Sequence, residues 1–307
     1  MRFDGDFAPN SYAWWYLDGL TADGSAGITI IAFIGSVFSP YYAWARREQA
    51  ANPLDFCALN VALYSRRGSR WSMSERGASQ VERQSSHLRI AGSSMAFDGN
   101  ALLIEVDEVA MPLPRRLVGK VRFVPDLVTH EAYALDPDGL HWWQPFAPLG
   151  RVEVDFSHPQ VRWCGQGYVD CNRGAVPLEQ SFASWQWSRI SGKYQTTVLY
   201  DVNMRGAGAH QISLRLSPSR GSEQISRPTP VRLPNTRWGL PRTTRAADHV
   251  PRVIKTLEDA PFYSRSMLAS PESGGIRLGM HESLSLQRFE KTWVRLLLPF
   301  RMPRLAR

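Results

Sequence analysis

Apolar and polar residues alternate with a period of two along most of the chain, and stretches with the 3.6-residue period of an amphipathic helix are scarce. Such alternation predicts half-buried β-strands. Turns that contain aspartate and glycine separate the alternating stretches, for example at residues 22–24 and 97–99. The pattern therefore predicts an all-β protein, a sandwich or a barrel. The predicted strands are residues 13–20, 27–33, 55–64, 101–109, 116–123, 151–155, 161–170, 182–190, 194–202 and 211–216.

A Trp-rich hairpin occurs twice in the chain. Residues 13–34 read AWWYLDGLTADGSAGITIIAFI, and residues 184–202 read SWQWSRISGKYQTTVLYDV. Each copy joins a Trp-rich strand to an apolar strand through a Gly-bearing turn, which indicates two like domains. We therefore expect domains at residues 1–176 and 177–307, each long enough for a closed antiparallel barrel. The other interpretation is that two such hairpins coincide by chance in a chain with 11 Trp.

Two regions follow neither period. Residues 39–53 give no assignable element, and residues 217–252 are rich in Pro and Arg. The second region is expected to be a long basic loop or linker, or a lid.

The composition is that of a globular protein, with 43% hydrophobic and 21% charged residues, which excludes the disordered and fibrous classes. Three cysteines allow at most one disulfide and form no C-x-x-C pair, as in proteins of a reducing compartment. The N-terminal residues lack an apolar signal core, and the longest apolar run, residues 28–34, is too short to cross a bilayer. We therefore expect a cytoplasmic protein.

The formal net charge of +8 is concentrated in two segments. Residues 227–255 contain seven basic residues and one acid, Asp248, and residues 291–307 contain five basic residues and no acid. Such segments suit a polyanion, either nucleic acid or an anionic membrane face. Basic and apolar residues are interleaved in the C-terminal tail, which favours a membrane-surface anchor, while a last barrel strand at residues 293–298 is equally compatible. Motifs of nucleic-acid-binding folds are absent, so no nucleic acid partner is expected.

A carboxylate stands near the end of a predicted strand, within GQGYVDCNRG at residues 165–174. Residues two apart in a strand share a face, so Tyr168 and Asp170 point the same way. His141 and Trp143 have the same spacing upstream, and the two pairs can converge. Burial disfavours the charged form of an Asp side chain, so Asp170 can act as a general acid, and aromatic faces can stabilise a cation. This set suits protonation of an alkene followed by hydration without a cofactor.

The alternative is structural: Asp170 caps a turn at residues 171–174, and Tyr168 and the tryptophans belong to the core. The sequence shows no metal-ligand spacing, Walker loop, good dinucleotide fingerprint or G-x-S-x-G motif. Neither a metal nor a cofactor is therefore expected.

Four segments, at residues 10–47, 53–64, 141–156 and 165–190, contain the motifs WWYLDG, HWWQPF and GYVDCNRG. They closely resemble the bacterial carotenoid 1,2-hydratases, also called hydroxyneurosporene synthases, and the likeness covers nearly the whole chain. The resemblance implies two tandem lipocalin-like antiparallel β-barrels. It also implies addition of water to the terminal C1=C2 bond of an acyclic carotenoid, such as neurosporene or lycopene, with no redox or metal cofactor.

Carried over by motif, the resemblance places the catalytic residues at His141, Trp143, Tyr168 and Asp170. Asp170 would donate the proton, and we expect Trp143 and Tyr168 to stabilise the cation and His141 to orient Asp170 or water. The first barrel is expected to bury the end of the polyene. Because the substrate resides in lipid, we also expect peripheral association with the inner or photosynthetic membrane. The alternative function is a non-catalytic isoprenoid-binding protein, and the oligomeric state stays open.

Overall fold

The structure, a computed structural model, describes residues 1–66, 68–206, 208–247, 249–272 and 275–305. Strand accounts for 59% of it and helix for 11%, which confirms the all-β prediction. Asp248 and the last two residues of the tail lie outside the described residues. The chain forms two compact units, one comprising Met1–Ala134, Gly139–Pro177 and Arg295–Arg307, the other Leu135–Asp138 and Leu178–Val294.

The first unit is a nearly closed antiparallel barrel. Hydrogen bonds join its strands in the order β4-β3-β2-β1-β12-β11-β9-β8-β7-β6-β5, with β10 added to β11. The N–H of Met111 donates to the carbonyl of Trp71 at 2.8 Å and ties the β8–β9 turn to β4. The strands are β1 (Tyr12–Leu20), β2 (Ala26–Ile34), β3 (Cys57–Ser65), β4 (Gly68–Arg76), β5 (Val81–Arg83), β6 (His87–Ile90), β7 (Ser93–Phe97), β8 (Leu102–Ala110), β9 (Arg115–Leu127), β10 (Tyr133–Ala134), β11 (His141–His158) and β12 (Gln160–Gly174).

A helix, α1 (Pro40–Glu48), occupies the region that showed no strand period. The Ser39 hydroxyl caps it by accepting the N–H of Tyr42, and Pro40 provides a first residue whose missing N–H costs nothing there. Tyr42 is buried and donates its hydroxyl proton to the carbonyl of Ser11 at 2.8 Å, which fastens the helix beside the start of β1.

One face of the first unit's sheet forms its hydrophobic core. Every second residue of β1 and β2 contributes to it, beginning with Ala13 and Trp15 on β1. Val169 of β12 belongs to the same cluster, and Cys171 packs against it. Alternate residues of these central strands therefore build the core of this unit, and the residues between them point to the opposite face of the sheet.

The second unit contains an antiparallel sheet with the order β16-β15-β14-β13-β21-β20-β19 and a separate hairpin of β17 and β18. Residues 217–252, expected as a loop, linker or lid, thus include three strands. The strands are β13 (Phe182–Ser191), β14 (Thr196–Met204), β15 (Ala209–Ser217), β16 (Gly221–Gln224), β17 (Thr229–Leu233), β18 (Arg242–Ala246), β19 (Arg252–Asp259), β20 (Tyr263–Glu272) and β21 (Gly275–Ser285). The remaining helices are α2 (Leu178–Ser181), α3 (Leu286–Phe289) and α4 (Thr292–Leu297).

Polar side chains hold the hairpin of the second unit against its sheet. Ser188 of β13 and Thr244 of β18 are hydrogen-bonded at 2.9 Å, and His281 Nε2 lies 2.8 Å from the carbonyl of Thr243. Burial lowers the pKa of His281 to about 4, so its ring is neutral near pH 7 and donates this hydrogen bond. The buried polar residues of this unit explain why much of it shows no apolar alternation.

The C-terminal tail is helical where a last barrel strand was considered, because residues 292–297 form α4 and Leu298–Phe300 form a 3-10 turn. Residues beyond the turn attach to β4. The N–H of Glu75 donates to the carbonyl of Pro303 at 2.9 Å, and Arg304 forms an ion pair with the Glu75 carboxylate at 2.6 Å. The end of the tail therefore belongs to the first unit. No helix among the described residues is long and apolar enough to span a membrane.

Candidate active site

Strands β1 and β12 are antiparallel neighbours, and their register brings two Tyr-x-Asp sequences together. Tyr16 is paired with Asp170, and Asp18 is paired with Tyr168. Because directly paired residues project from the same side of a sheet, all four side chains share one face. The pairing places each carboxylate opposite the tyrosine of the other strand.

Hydrogen-bond donors hold the carboxyl group of Asp170. The indole N–H of Trp143 donates to Oδ2 at 2.8 Å, and the hydroxyl of Tyr168 donates to the same oxygen at 3.0 Å. The amide Nδ2 of Asn172 lies 3.3 Å from Oδ1. Asp170 is 5% exposed, and both Trp143 and Tyr168 are fully buried. The structure thus brings three of the four residues singled out by the sequence into one hydrogen-bonded group.

The fourth residue, His141, lies at the end of the same strand pair, where it is paired with Gly174. Its Nδ1 is 2.8 Å from the hydroxyl of Tyr12, and both side chains are buried. Gly174 makes this contact possible, because a Cβ at that position would lie 2.3 Å from the Tyr12 ring and 2.6 Å from His141 Nδ1. The final glycine of the GYVDCNRG motif therefore lets the backbone of β12 lie close to the Tyr12–His141 pair.

The structural alternative for Asp170, a cap on a turn at residues 171–174, is wrong. Strand β12 continues to Gly174, and these four residues remain in register with β1. The carboxyl group of Asp170 instead accepts hydrogen bonds from Trp143 and Tyr168. Its place in the middle of a paired strand leaves no turn for it to cap.

The side chain of Asp170 lies on the sheet face opposite the hydrophobic core of the first unit. Its chain neighbours Val169 and Cys171 point to that core, so alternation along the strand directs Asp170 away from it. The acid is buried all the same. Asp170 is therefore buried on the face that points away from the hydrophobic core of the first unit.

Two residues of this face, Tyr16 and Asp18, were not among the predicted site residues. The hydroxyl of Tyr16 donates to Oδ2 of Asp18 at 2.9 Å, and Asp18 is fully buried. The rings of Tyr16 and Tyr168 meet edge to face with centroids 6.2 Å apart. The signal was present in the sequence, because WWYLDG has the same Tyr-x-Asp spacing as GYVDCNRG.

Aromatic rings surround the hydrogen-bonded group. Trp14 stacks on Tyr12 at 5.1 Å and contacts Phe33 at 6.1 Å, and Tyr133 contacts Trp143 at 5.8 Å. A cleft of about 660 Å³ in the first unit is lined in part by Trp143 and Asn172, two of the donors to Asp170. Among the described residues, no three His, Cys, Asp or Glu side chains are grouped as metal ligands would be.

A solved structure shares the fold of this chain. A putative AttH protein from Nitrosomonas europaea superposes with a TM-score of 0.65 at 12% identity, covering 92% of this chain and 94% of the other. At this identity the likeness concerns the fold alone, and it supports the lipocalin-like barrel architecture.

Sequence comparison gives the family. An acyclic carotenoid 1,2-hydratase of Thiocapsa roseopersicina is 48% identical over 99% of this chain and 76% of its own length. One of Rubrivivax gelatinosus is 43% identical with the same coverage. The family model described as Carotenoid hydratase CrtC matches residues 30–307. The chain therefore belongs to the carotenoid hydratase CrtC family and is an enzyme of the hydro-lyase class.

Proposed function

We propose that this enzyme adds water to the terminal C1=C2 bond of acyclic carotenoids such as lycopene and neurosporene, and forms 1-hydroxy carotenoids. A relative with 48% identity carries the name acyclic carotenoid 1,2-hydratase. The observation that carries the proposal is the buried Asp170 carboxyl group, held by Trp143 and Tyr168 at 2.8 and 3.0 Å. Alkene hydration needs a positioned proton donor near aromatic surfaces, and this group of side chains provides one.

Asp170 is the proton donor in this scheme. Trp143 and Tyr168 both donate to Oδ2, and Asn172 donates to Oδ1 at 3.3 Å, so these donors fix the orientation of the acid. Transfer to C2 leaves the positive charge on C1, which is tertiary and is the better-stabilised position. Water then adds to C1 and forms the tertiary alcohol. The regiochemistry follows from the substrate, while the protein selects which double bond meets the acid.

The aromatic side chains around Asp170 stabilise the cation. A ring face stabilises a nearby positive charge by about 0.5 to 2 kcal/mol, with the larger values where water is excluded. Tyr168 and Trp143 are fully buried and both donate to the acid, so we assign the stabilisation of the cation to them. The Tyr12–His141 pair is assigned to positioning at the end of the site, next to Gly174.

We assign access to a lipid-dissolved substrate to the C-terminal segment, residues 291–301. Its apolar side chains are exposed: Trp293 by 50%, Leu296 by 57% and Phe300 by 72%. Basic residues Lys291 and Arg301 flank them and are exposed as well. Exposed aromatic and aliphatic side chains flanked by cations suit the headgroup region of an anionic bilayer. We assign peripheral membrane binding to this segment.

Incubation of the purified enzyme with lycopene in liposomes made with oxygen-18 water tests the proposed function. The expected product is a carotenoid with one oxygen-18 atom in a tertiary hydroxyl group at C1. Lycopene that binds to the protein and is recovered unchanged would instead show an isoprenoid-binding protein. Neurosporene in the same assay reports whether a more saturated polyene is accepted.

A further inference from the structure

A second buried carboxyl group lies beside Asp170 on the same sheet face. Asp18 is paired with Tyr168, two residues along β12 from Asp170, so the two carboxylates occupy diagonal positions on adjacent strands. Diagonal neighbours in an antiparallel sheet are about 7 to 8 Å apart. Carboxyl pairs at about this separation can act as an acid and a base with a water molecule between them, as in inverting glycosidases.

An independent feature next to Asp18 points to a bound water molecule. Thr29 of β2 is paired with Asp18 across the strands and shares its face. The Thr29 side chain is fully buried, and its Oγ1 has no hydrogen-bond partner among the described residues. A buried hydroxyl group without a partner destabilises the folded state, so such a group calls for a polar ligand. A water molecule of the reaction would satisfy it.

We propose that Asp18 is the general base of the hydration and that Thr29 positions the attacking water. This rests on the proposed function above, in which Asp170 is the acid. Addition of water to a cation yields an alcohol only when a base removes the second proton of that water. Asp18 is a buried carboxylate on this face and is paired with Thr29. The hydroxyl of Tyr16 donates to its Oδ2 at 2.9 Å and holds the carboxylate in place.

The cycle balances without a co-reactant. The Asp170 carboxylic acid gives its proton to C2, and the oxygen of water forms a bond to C1. The proton released from that water moves to the Asp18 carboxylate. Asp18 then gives this proton to solvent water, and Asp170 takes up one proton from water, which restores the enzyme. The net reaction is alkene plus water to alcohol.

An assay in deuterium oxide separates the two carboxylates, because the acid acts before the base. In Asp18→Asn the Asp170 acid still forms the cation, which then loses a proton to return the alkene. We expect hydration to fall by about 10² to 10⁴-fold while the recovered polyene gains deuterium at C2. Asp170→Asn should lose both hydration and deuterium uptake. A wild-type enzyme that neither hydrates nor exchanges would instead disprove the proposed function.

Thr29→Val provides a second, milder variant that keeps the shape of the side chain. Loss of one hydrogen bond to the water should lower hydration by about tenfold with deuterium uptake retained. Ser72→Ala is the matched control, because the Ser72 hydroxyl is also buried without a described partner but is paired with the core residue Val61. Asp18→Asn or Thr29→Val with wild-type hydration, or with both activities lost together, would overturn the assignment.

Discussion

Trp143 donates its indole N–H to Oδ2 of Asp170 across strands β11 and β12 at a distance of 2.8 Å. Both residues are buried, and the register pairs Trp143 with Asn172 rather than with Asp170. The indole therefore reaches diagonally to the acid, which a smaller side chain would not do. This bond fixes the orientation of the Asp170 carboxyl group.

Trp143→Phe should lower turnover because it removes the N–H and keeps an aromatic ring. Asp170 becomes a carboxylate as it gives up its proton. A hydrogen bond to a charged group contributes about 1.5 to 3 kcal/mol, which corresponds to about a 10- to 150-fold loss of kcat. Steady-state hydration of lycopene measures it. Trp142→Phe is the control, because Trp142 donates to the carbonyl of Gly139 at 2.7 Å. Equal losses in the two variants would contradict a special role for the Trp143 bond.

Gly174→Ala should disturb the Tyr12–His141 pair. The new Cβ would lie 2.3 Å from Tyr12 and 2.6 Å from His141, so the ring or the strand must move, at a cost of about 1 to 3 kcal/mol. Thermal unfolding measures the loss of stability, and the hydration rate measures the effect of the disturbed Tyr12–His141 pair on activity. Gly77→Ala is the control, because its φ is −86° and nothing lies within 4 Å of the added Cβ. A Gly174→Ala enzyme with unchanged stability would show that the approach at this position is not tight.

Glu108 should make the folded state less stable as the pH rises. Burial raises its pKa from 4.5 to about 7, while Arg76 and Ser93 oppose the shift. The folded state therefore holds a proton that the unfolded state has lost between about pH 4.5 and 7, so this contribution to the free energy of unfolding falls across that range. Glu108→Gln removes this pH-dependent contribution. The free energy of unfolding of the variant, relative to that of wild type, should therefore rise by up to about 3 kcal/mol from pH 4.5 to 7.

Denaturant unfolding at several pH values measures the Glu108 effect. Glu105→Gln is the matched control on the same strand, because Glu105 is exposed and its pKa is lowered by the hydrogen bond from Lys120. It should show no gain in relative stability across the same range. A Glu108→Gln variant whose relative stability does not change with pH would contradict the assignment.

Leu296→Ser combined with Phe300→Ser should weaken binding to anionic vesicles. The two side chains are 57% and 72% exposed, so their loss removes apolar area available to a bilayer and leaves the fold intact. Cosedimentation with phosphatidylglycerol vesicles measures the effect. Leu113→Ser is the control, because Leu113 is 67% exposed on the β8–β9 turn. Vesicle binding equal to wild type in the double variant would disprove this surface assignment.

Strand alternation could predict the ten strands with clear apolar periodicity and the shared face of Tyr168 and Asp170. It could not predict much of the second unit, because β20 and β21 bury polar side chains such as Ser266 and His281. Alternation along β12 cannot show whether the side chain of Asp170 points to the core or away from it. That depends on which face of the sheet forms the core, and only the assembled barrel shows this. The Tyr-x-Asp spacing that includes Asp18 was visible in the sequence, but only the cross-strand register places Asp18 beside Tyr168.

The central claim is that Asp170 supplies the proton. Asp170→Asn keeps the size of the side chain and removes the acid, and Asp155→Asn is its control, because Asp155 is exposed on β11 and forms an ion pair with Arg162 at 2.8 Å. With lycopene in liposomes in deuterium oxide, Asp155→Asn should form the 1-hydroxy product with deuterium at C2. Asp170→Asn should bind lycopene and form neither hydrated nor deuterated carotenoid. Wild-type hydration by Asp170→Asn would contradict the account.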